Sequence, residues 1–324
     1  MKVLVTGANG FVGRHVCATL GARDYVVRAL VRPGARVATI ERSGIEIVHG
    51  DVTVPESLAR AIDGVDAVVH LAGVTRASRD STFVRVNVDG TRHLADACRG
   101  RGVRRLVFMS ALAAQGPSAK GTPHVHPGCE APIDAYGRSK LAAERLLADR
   151  GADVPTTVLR PALLYGPGAR AVLELARVVR RRIAPSVPGM ELSLLHVDDL
   201  AQATLDVLER PDAPFGPYFL SDGAPVALEA LVARLERLVA PASVLRIPVA
   251  RALANALAPA AERFVALTGF GLGVARAVRE MGGASWTCMP DEARRDLGFE
   301  PQVDLDTGLA ETIAWFRAEG LLRG

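Results

Sequence analysis

Lysine is almost missing from this chain: of its 39 basic residues only Lys2, Lys120 and Lys140 are lysines, and the rest are arginines. Aromatic residues make up only 5% of the 324 positions, and no basic block carries interleaved aromatics. The net charge of +4 therefore describes a modestly cationic surface, and no nucleic-acid partner is expected. Cysteine is equally sparse. Cys17, Cys98, Cys129 and Cys288 lie far apart with no paired spacing, which argues against a disulfide framework and a zinc site. No uncharged apolar run reaches about 18 residues, so no transmembrane span is expected. No signal peptide precedes the first apolar run, which sets the expectation of a cytoplasmic protein. With 49% hydrophobic and 23% charged residues the composition is that of an ordered globular chain, long enough for one large or two interlocked domains.

What is present begins at the first residues. Lys2-Val-Leu-Val-Thr6 is a short β-branched apolar run, the pattern of a buried parallel strand. It breaks into Gly7-Ala-Asn-Gly10-Phe-Val-Gly13, and Val12, Val16, Ala18 and Leu20 then fall on a rough helical face. Strand, glycine turn and helix start are what a dinucleotide pyrophosphate needs. The glycines let the backbone turn tightly and approach the phosphates, while the helix start offers free N–H groups and a positive dipole end. The spacing is G-x-x-G-x-x-G, with Asn9 where the commoner fingerprint has its second glycine.

A second strand, Tyr25 to Val31, ends without the acidic residue that this fingerprint predicts for bonding the adenosine ribose. Arg32 stands there, with Arg36 close behind. A carboxylate repels a 2′-phosphate, whereas a guanidinium grips it, so NADP is expected over NAD, with NAD left open. Further strands are expected at Ile45–Val48, Ala67–His70 and Arg105–Met109, with a helix opening at Pro55. Leu71, Ala72 and Gly73 follow one strand end and leave room for a flat cofactor. Residues 115–133 form an irregular stretch read as a loop over the substrate. Its His124, His126, Cys129 and Glu130 lack a second cluster, so no metal is expected.

Tyr136-Gly-Arg-Ser-Lys140 opens the next helix. Its tyrosine and lysine, at i and i+4, stack on one face about 5–6 Å apart at Cβ. An ammonium beside a phenol favours phenolate, which tunes a proton donor toward neutral pH. In a chain that otherwise uses arginine, a lysine here invites a chemical reason.

The glycine turn, the strand ending in Ser110 and the Y-x-x-x-K together resemble the short-chain dehydrogenase/reductase superfamily. Thr157-Val-Leu-Arg-Pro-Ala-Leu-Leu-Tyr-Gly-Pro-Gly168, Leu195-His-Val-Asp-Asp-Leu-Ala201, Leu297-Gly-Phe-Glu-Pro301 and Trp315 are similar to motifs of its extended branch, the NAD-dependent epimerase/dehydratase-like proteins. The resemblance covers essentially the whole chain. It implies a Rossmann-type α/β fold, a doubly wound parallel sheet formed by residues 1–165 and 194–224, with a smaller, mostly helical substrate domain from 166–193 and 225–324.

The resemblance also implies roles. Gly7, Gly10 and Gly13 would carry the pyrophosphate, with Asn9, Phe11 and Val12 around it. Arg32 would meet the 2′-phosphate, Asp51 and Val52 the adenine, and Leu71, Ala72 and Gly73 the nicotinamide ribose. Asn87 falls in the cofactor-side helix motif, and Pro161, Leu163 and Leu164 lie beside the nicotinamide. Tyr136 would be the general acid/base and Lys140 its ribose-binding partner. The family's paired Ser/Thr is reduced to Ser110 in Met109-Ser-Ala-Leu-Ala-Ala114, so Ser110 stands as the third catalytic candidate.

Ala162 replaces the asparagine that nucleotide-sugar members carry after the sixth strand, and the apolar lining suits an alicyclic, aromatic or lipid-like carbonyl substrate. The leading expectation is a ketone or aldehyde reductase. The rivals are a nucleotide-sugar epimerase or dehydratase with bound NAD, and a non-catalytic NADP-binding sensor or assembly subunit. Arg177 and Arg180-Arg-Arg182, on a predicted helix, mostly face solvent. The alanine- and leucine-rich run from Pro248 to Val274 is expected to pack as a helical subdomain; a greasy lid or a peripheral membrane contact is the alternative. A homodimer is left open.

Overall fold

In the computed structural model, the described residues are 1–322 apart from 38–39, 41–43, 151–153, 211, 240–243 and 249–284, with backbone alone at 185 and 247–248. Residues 249–274 of the apolar run after Pro248 thus lie outside them.

Seven parallel strands form the central sheet. They are β1 (Lys2–Thr6), β2 (Val26–Val31), β3 (Glu46–His49), β4 (Ala67–His70), β5 (Arg105–Met109), β6 (Thr156–Pro161) and β11 (Tyr218–Leu220), in the spatial order β11-β6-β5-β4-β1-β2-β3. The chain lays β2 and β3 on one side of β1, then crosses back to place β4 on its other side. The order therefore reverses between β1 and β4, and that crevice is where α/β sheets of this kind bind ligands. In-register pairs Thr6↔Leu30 and Thr6↔His70 bring the strand ends level, so the turns after β1, β2 and β4 share one rim.

Near-continuous apolar strands require cover on both faces. On one face α1 (Phe11–Gly21) packs with α7 (Val197–Glu209) over Val3, Val5, Val27 and Val107. On the other, α2 (Pro55–Ile62), α4 (Gly90–Cys98) and α5 (Ala135–Asp149) cover Leu4, Val68, Leu106 and Val158. Before α4 the chain runs through α3 (Asp80–Phe83) and a π-helical turn, Val84–Asp89.

A third cluster gathers α6 (Arg170–Arg180), α8 (Leu228–Val239) and α10 (Leu305–Ala318) around Val172, Ala176, Leu231, Leu235 and Phe316. Short strand pairs edge it: β7 (Leu163–Tyr165) with β10 (Leu194–His196), β9 (Glu191–Leu192) with β12 (Val226–Ala227), and β8 (Ile183–Ser186) with β13 (Leu245–Pro248). The segment after α9 (Asp291–Leu297) is tied to α7 by Asp199, whose carboxylate accepts the N–H groups of Gln302 and Val303 at 2.9 and 3.2 Å. The motif Leu195–Ala201 thus clasps, through Asp199, the two residues that follow Leu297–Pro301.

Candidate active site

The turn after β1 needs its glycines for space. At Gly7 (φ +69°) a Cβ would sit 2.9 Å from the backbone of Leu71 and Ala72, and at Gly13 it would run into the Gly7 carbonyl. The Gly10 N–H donates to Gly7 O at 2.9 Å, and Gly10 opens α1 with no side chain capping the helix and no acid in its first turn. The N-terminal N–H groups of α1 thus lack the side-chain acceptors that helix starts usually have, over a cradle that any Cβ would fill. Asn9 Nδ2 contacts Arg36 O at 3.5 Å, which draws the loop after β2 against this turn. Arg32 and Arg36 are both exposed there. Phe11 stands edge-on to His15, and Val12 packs on the core beneath.

At the end of β3, Asp51 accepts from Thr53 N and Oγ1 at 2.8 and 2.9 Å, which closes a tight turn. Val52 is buried against Gly90, where a Cβ would meet its Cγ2 at 2.8 Å.

A chain of buried polar groups sets the loop after β4. Thr91 Oγ1 donates to Asn87 O at 2.7 Å, so it accepts from His70 Nε2 at 3.0 Å. His70 Nδ1 then accepts from Thr6 Oγ1 at 2.7 Å, and Thr6 Oγ1 accepts the Ala72 N–H at 3.0 Å. The network assigns the Nε2–H tautomer to a neutral His70. Burial pushes its pKa down to about 3, and the Lys140 charge acts in the same sense. Because the folded value lies below the unfolded one near 6.5, this stabilisation is full above pH 6.5 and is lost as pH falls toward 3. Between pH 6.5 and 5.5, urea unfolding should report a loss of about 1 kcal/mol from this residue. His70→Gln should lack that component; an unaltered pH slope in the variant would refute it.

Asn87, buried, clamps the same loop: Oδ1 accepts Val74 N at 2.8 Å and Nδ2 donates to Val74 O at 3.0 Å. Nδ2 also donates to Ser139 Oγ at 2.9 Å, and Ser139 in turn donates to Tyr136 O. The loop and the start of α5 are therefore one unit. Asp134 caps α5 by accepting Gly137 N at 2.7 Å, and Gly137 lets the helix press onto the Ala113 carbonyl.

Tyr136, Lys140 and Glu144 follow one another at i, i+4 and i+8 along α5, and all three are buried. Lys140 Nζ donates to Met109 O at 2.7 Å and lies 4.9 Å above the Phe108 ring. Burial pushes its ammonium down to about 8, against the opposing pull of Glu144. A Cβ on Gly73 would lie 3.1 Å from Asn87 Oδ1 and 3.5 Å from Lys140 Nζ, so Gly73 opens the space between them. Tyr136 forms an apolar cluster with Phe83 and Ala113, against which Val74, Ala77, Ala111, Ala135 and Trp286 pack.

Ser110 is placed differently from the third catalytic candidate's role. Its hydroxyl donates to Glu144, inside a cluster centred on Arg160. Arg160 donates to Glu144 at 2.6 Å, to Gln115 Oε1 at 2.7 Å and to Glu130 at 3.1 Å. The next residue, Ala111, packs on the apolar cluster that contains Tyr136. Sequence reading missed Arg160, Glu144 and Gln115. The available signal was an arginine inside the β-branched run of β6 and a glutamate on the lysine face of α5.

Pro161 is buried at the end of β6, Leu164 packs on the core, and Leu163 is exposed beside them. The loop histidines are engaged apart from one another: His124 with Gly116 O, and His126 with Glu292. Among the described residues no three His, Cys, Asp or Glu side chains group as a metal site, and no helix is long and apolar enough to cross a membrane.

A family model described as the NAD dependent epimerase/dehydratase family matches residues 3–218. The ceramide reductase of Caulobacter vibrioides is 31% identical, over 99% of this chain and 96% of its own length. The 4-hydroxy-2-methyl-3-oxo-4-farnesyl-3,4-dihydroquinoline-1-oxide ketoreductase of Stigmatella aurantiaca is 34% identical, over 95% of each chain. A solved UDP-glucose 4-epimerase from Thermotoga maritima shares the fold with a TM-score of 0.80 at 22% identity, over 98% of this chain and 99% of that one.

Proposed function

From a chain that belongs to the NAD-dependent epimerase/dehydratase family, and is thus an NAD(P)-dependent oxidoreductase of the extended short-chain dehydrogenase/reductase type, we propose an NADPH-dependent reductase of lipid-like or alicyclic ketones. The observation that carries this reading is Tyr136 set beside Lys140 in an apolar surround that includes Trp286. Such walls favour an alkyl or polycyclic substrate. Two relatives named for reducing a ceramide and a farnesylated ketone point the same way.

The fit to the cofactor rests on the glycine cradle, the uncapped start of α1 and the gap at Gly73. A bound NADPH supplies the hydride for the carbonyl carbon. The protein's own residues do the rest. Tyr136 holds the carbonyl oxygen and passes it the phenol proton, leaving an alcohol and a phenolate that regains its proton from solvent. Lys140, held by Met109 O and raised over Phe108, keeps positive charge near that phenolate. Asn87 and His70 keep the loop 71–74 in register with α5. In this reading Ser110 leaves the catalytic set and acts as a support of Glu144.

Arg32 is the 2′-phosphate residue of this reading, with Arg36 at its side. A charge-assisted contact of this kind is worth about 1.5–3 kcal/mol. Arg32→Ala should therefore weaken NADPH binding by about 10- to 100-fold and leave NADH nearly unchanged, read by titration of cofactor fluorescence. Equal affinities for both cofactors, unmoved by the substitution, would remove NADP from the proposal.

The reading itself is tested by following NADPH consumption with a 3-oxoacyl lipid, a steroid ketone and a UDP-hexose. Oxidation with either apolar ketone supports it. Epimerisation of the UDP-hexose by protein carrying its own NAD, with no turnover of the ketones, would replace it by the nucleotide-sugar alternative.

A further inference from the structure

The arginine run after α6 is not a helix face. The helix stops at Arg180, and Arg181 and Arg182 lie in the turn beyond it, with Arg182 in the left-handed region at φ +62°. Arg177, Arg180, Arg181 and Arg182 are all exposed. Two cations in the last turn of a helix answer its dipole and need no other reason. Arg181 and Arg182 lie beyond that last turn, beside exposed apolar side chains.

Four of the ten exposed large hydrophobic residues among the described ones adjoin these arginines in sequence or through backbone bonds: Val178, Ile183, Leu245 and Leu321. Leu245 is 67% exposed, more than any of the other nine. It is the register partner of Ile183 in the β8–β13 pair, and its N–H donates to Arg182 O at 2.9 Å. Arg177 Nη2 donates to Leu321 O at 2.9 Å, which joins the end of α10 to the same face. A depression of about 330 Å³, ample for a phosphate headgroup, is lined by Arg177, Arg180, Arg181 and residues 320–322. Glu319, adjoining in sequence and exposed, offsets part of the charge.

We propose that this corner docks on an anionic lipid bilayer, with the arginines on lipid phosphates and Leu245, Ile183, Val178 and Leu321 entering the headgroup–acyl boundary. Cations ringing exposed aliphatic side chains are what an anionic interface selects. A second copy fits worse, because a two-fold interface would set this arginine cluster against itself. Single-stranded nucleic acid fits worse too, since the face offers aliphatic side chains where bases need aromatic stacking. The surface is separate from the residues of the reductase reading and stands without it.

The test is flotation of the full-length protein with vesicles of phosphatidylcholine alone or phosphatidylcholine with phosphatidylglycerol. Partition onto the anionic vesicles should exceed that onto neutral ones by at least about tenfold and fall with added salt. Arg181→Gln should lower it about fivefold, Arg181→Gln with Arg182→Gln about 25-fold, at roughly fivefold per charge. Leu245→Ser should weaken binding too, while melting temperature and NADPH binding stay at wild-type values in every variant. Equal partition on both vesicle types, no partition at all, or indifference to these substitutions would overturn the proposal. So would a concentration-dependent dimer, without lipid, that Leu245→Ser dissolves: that result gives the face to a second copy. None of these failures touches the ketone-reductase reading, which is decided by turnover in solution.

Discussion

Tyr136→Phe should lower kcat for ketone reduction by about 100- to 10,000-fold, equivalent to about 3–5 kcal/mol of barrier. The size follows from how few groups can serve the carbonyl oxygen. Ser110 spends its hydroxyl on Glu144, and the neighbouring residue on the cluster that contains Tyr136 is Ala111, which has no hydroxyl. In the proposed reading, the phenol of Tyr136 then both polarises the carbonyl and delivers the proton. Removing one oxygen atom leaves the ring packed against Phe83 at 6.3 Å between centroids, so the fold and the NADPH affinity should stay within about twofold of wild type. Ser110→Ala provides the contrast. It should cost far less activity, under about tenfold, because it acts through Glu144 and never reaches the substrate. Steady-state NADPH consumption by the three proteins decides the matter. A Tyr136→Phe enzyme with near-wild-type turnover would remove the tyrosine from the chemistry, and a Ser110→Ala loss as large as that of Tyr136→Phe would restore the serine.

Arg160→Met should destabilise the protein by about 3–5 kcal/mol, read as a shift in urea midpoint at an unaltered slope. Arg160 and Glu144 are each under 5% exposed, and the guanidinium serves Glu144, Gln115 and Glu130 together. Methionine fills the volume and leaves Glu144 as a buried carboxylate without its hydrogen-bonded cation, which is the expensive arrangement. Glu130 is held below the ordinary carboxylate range, because the Arg160 guanidinium overcomes what burial would do to it. Pairing the change with Glu144→Leu should recover most of the loss, since the desolvation penalty of a lone charge goes with it. Recovery would identify the pair as a device that fixes the loop of Gln115 and Glu130 against β6. A double variant no better than the single one would place the cost in packing instead.

Much of the frame was legible in local pattern. Gly7, Gly10 and Gly13 announce a turn because the backbone there has no room for a side chain, and near-continuous apolar runs mark the strands of the sheet. Helical spacing puts Tyr136 and Lys140 on one face, and it is the resemblance that gives the pair a role. Asn87 was placed near the cofactor by resemblance, but its two bonds to Val74 and its bond to Ser139 could not be read from a motif. The third candidate shows where such reading stops. A strand end followed by serine looks the same whether the hydroxyl turns toward the tyrosine or toward a glutamate one helical turn past the lysine.

By itself, then, the sequence determined what depends on near neighbours: the glycine turn, the missing acid after β2, the Tyr–Lys stack and the order of strand and helix that makes a doubly wound sheet. Tertiary structure alone decided which groups meet from far apart in the chain. It put Trp286 against the cluster of Tyr136, linked Thr6 to Asn87 through His70 and Thr91, buried Arg160 among three partners, and assembled Arg177, Leu245 and Leu321 on one corner. The physical reason is that a backbone turn or an i,i+4 pair is set by bond geometry over a few residues. The direction of a buried polar side chain is set by whichever distant partner spares it desolvation, and only the packed fold supplies that partner.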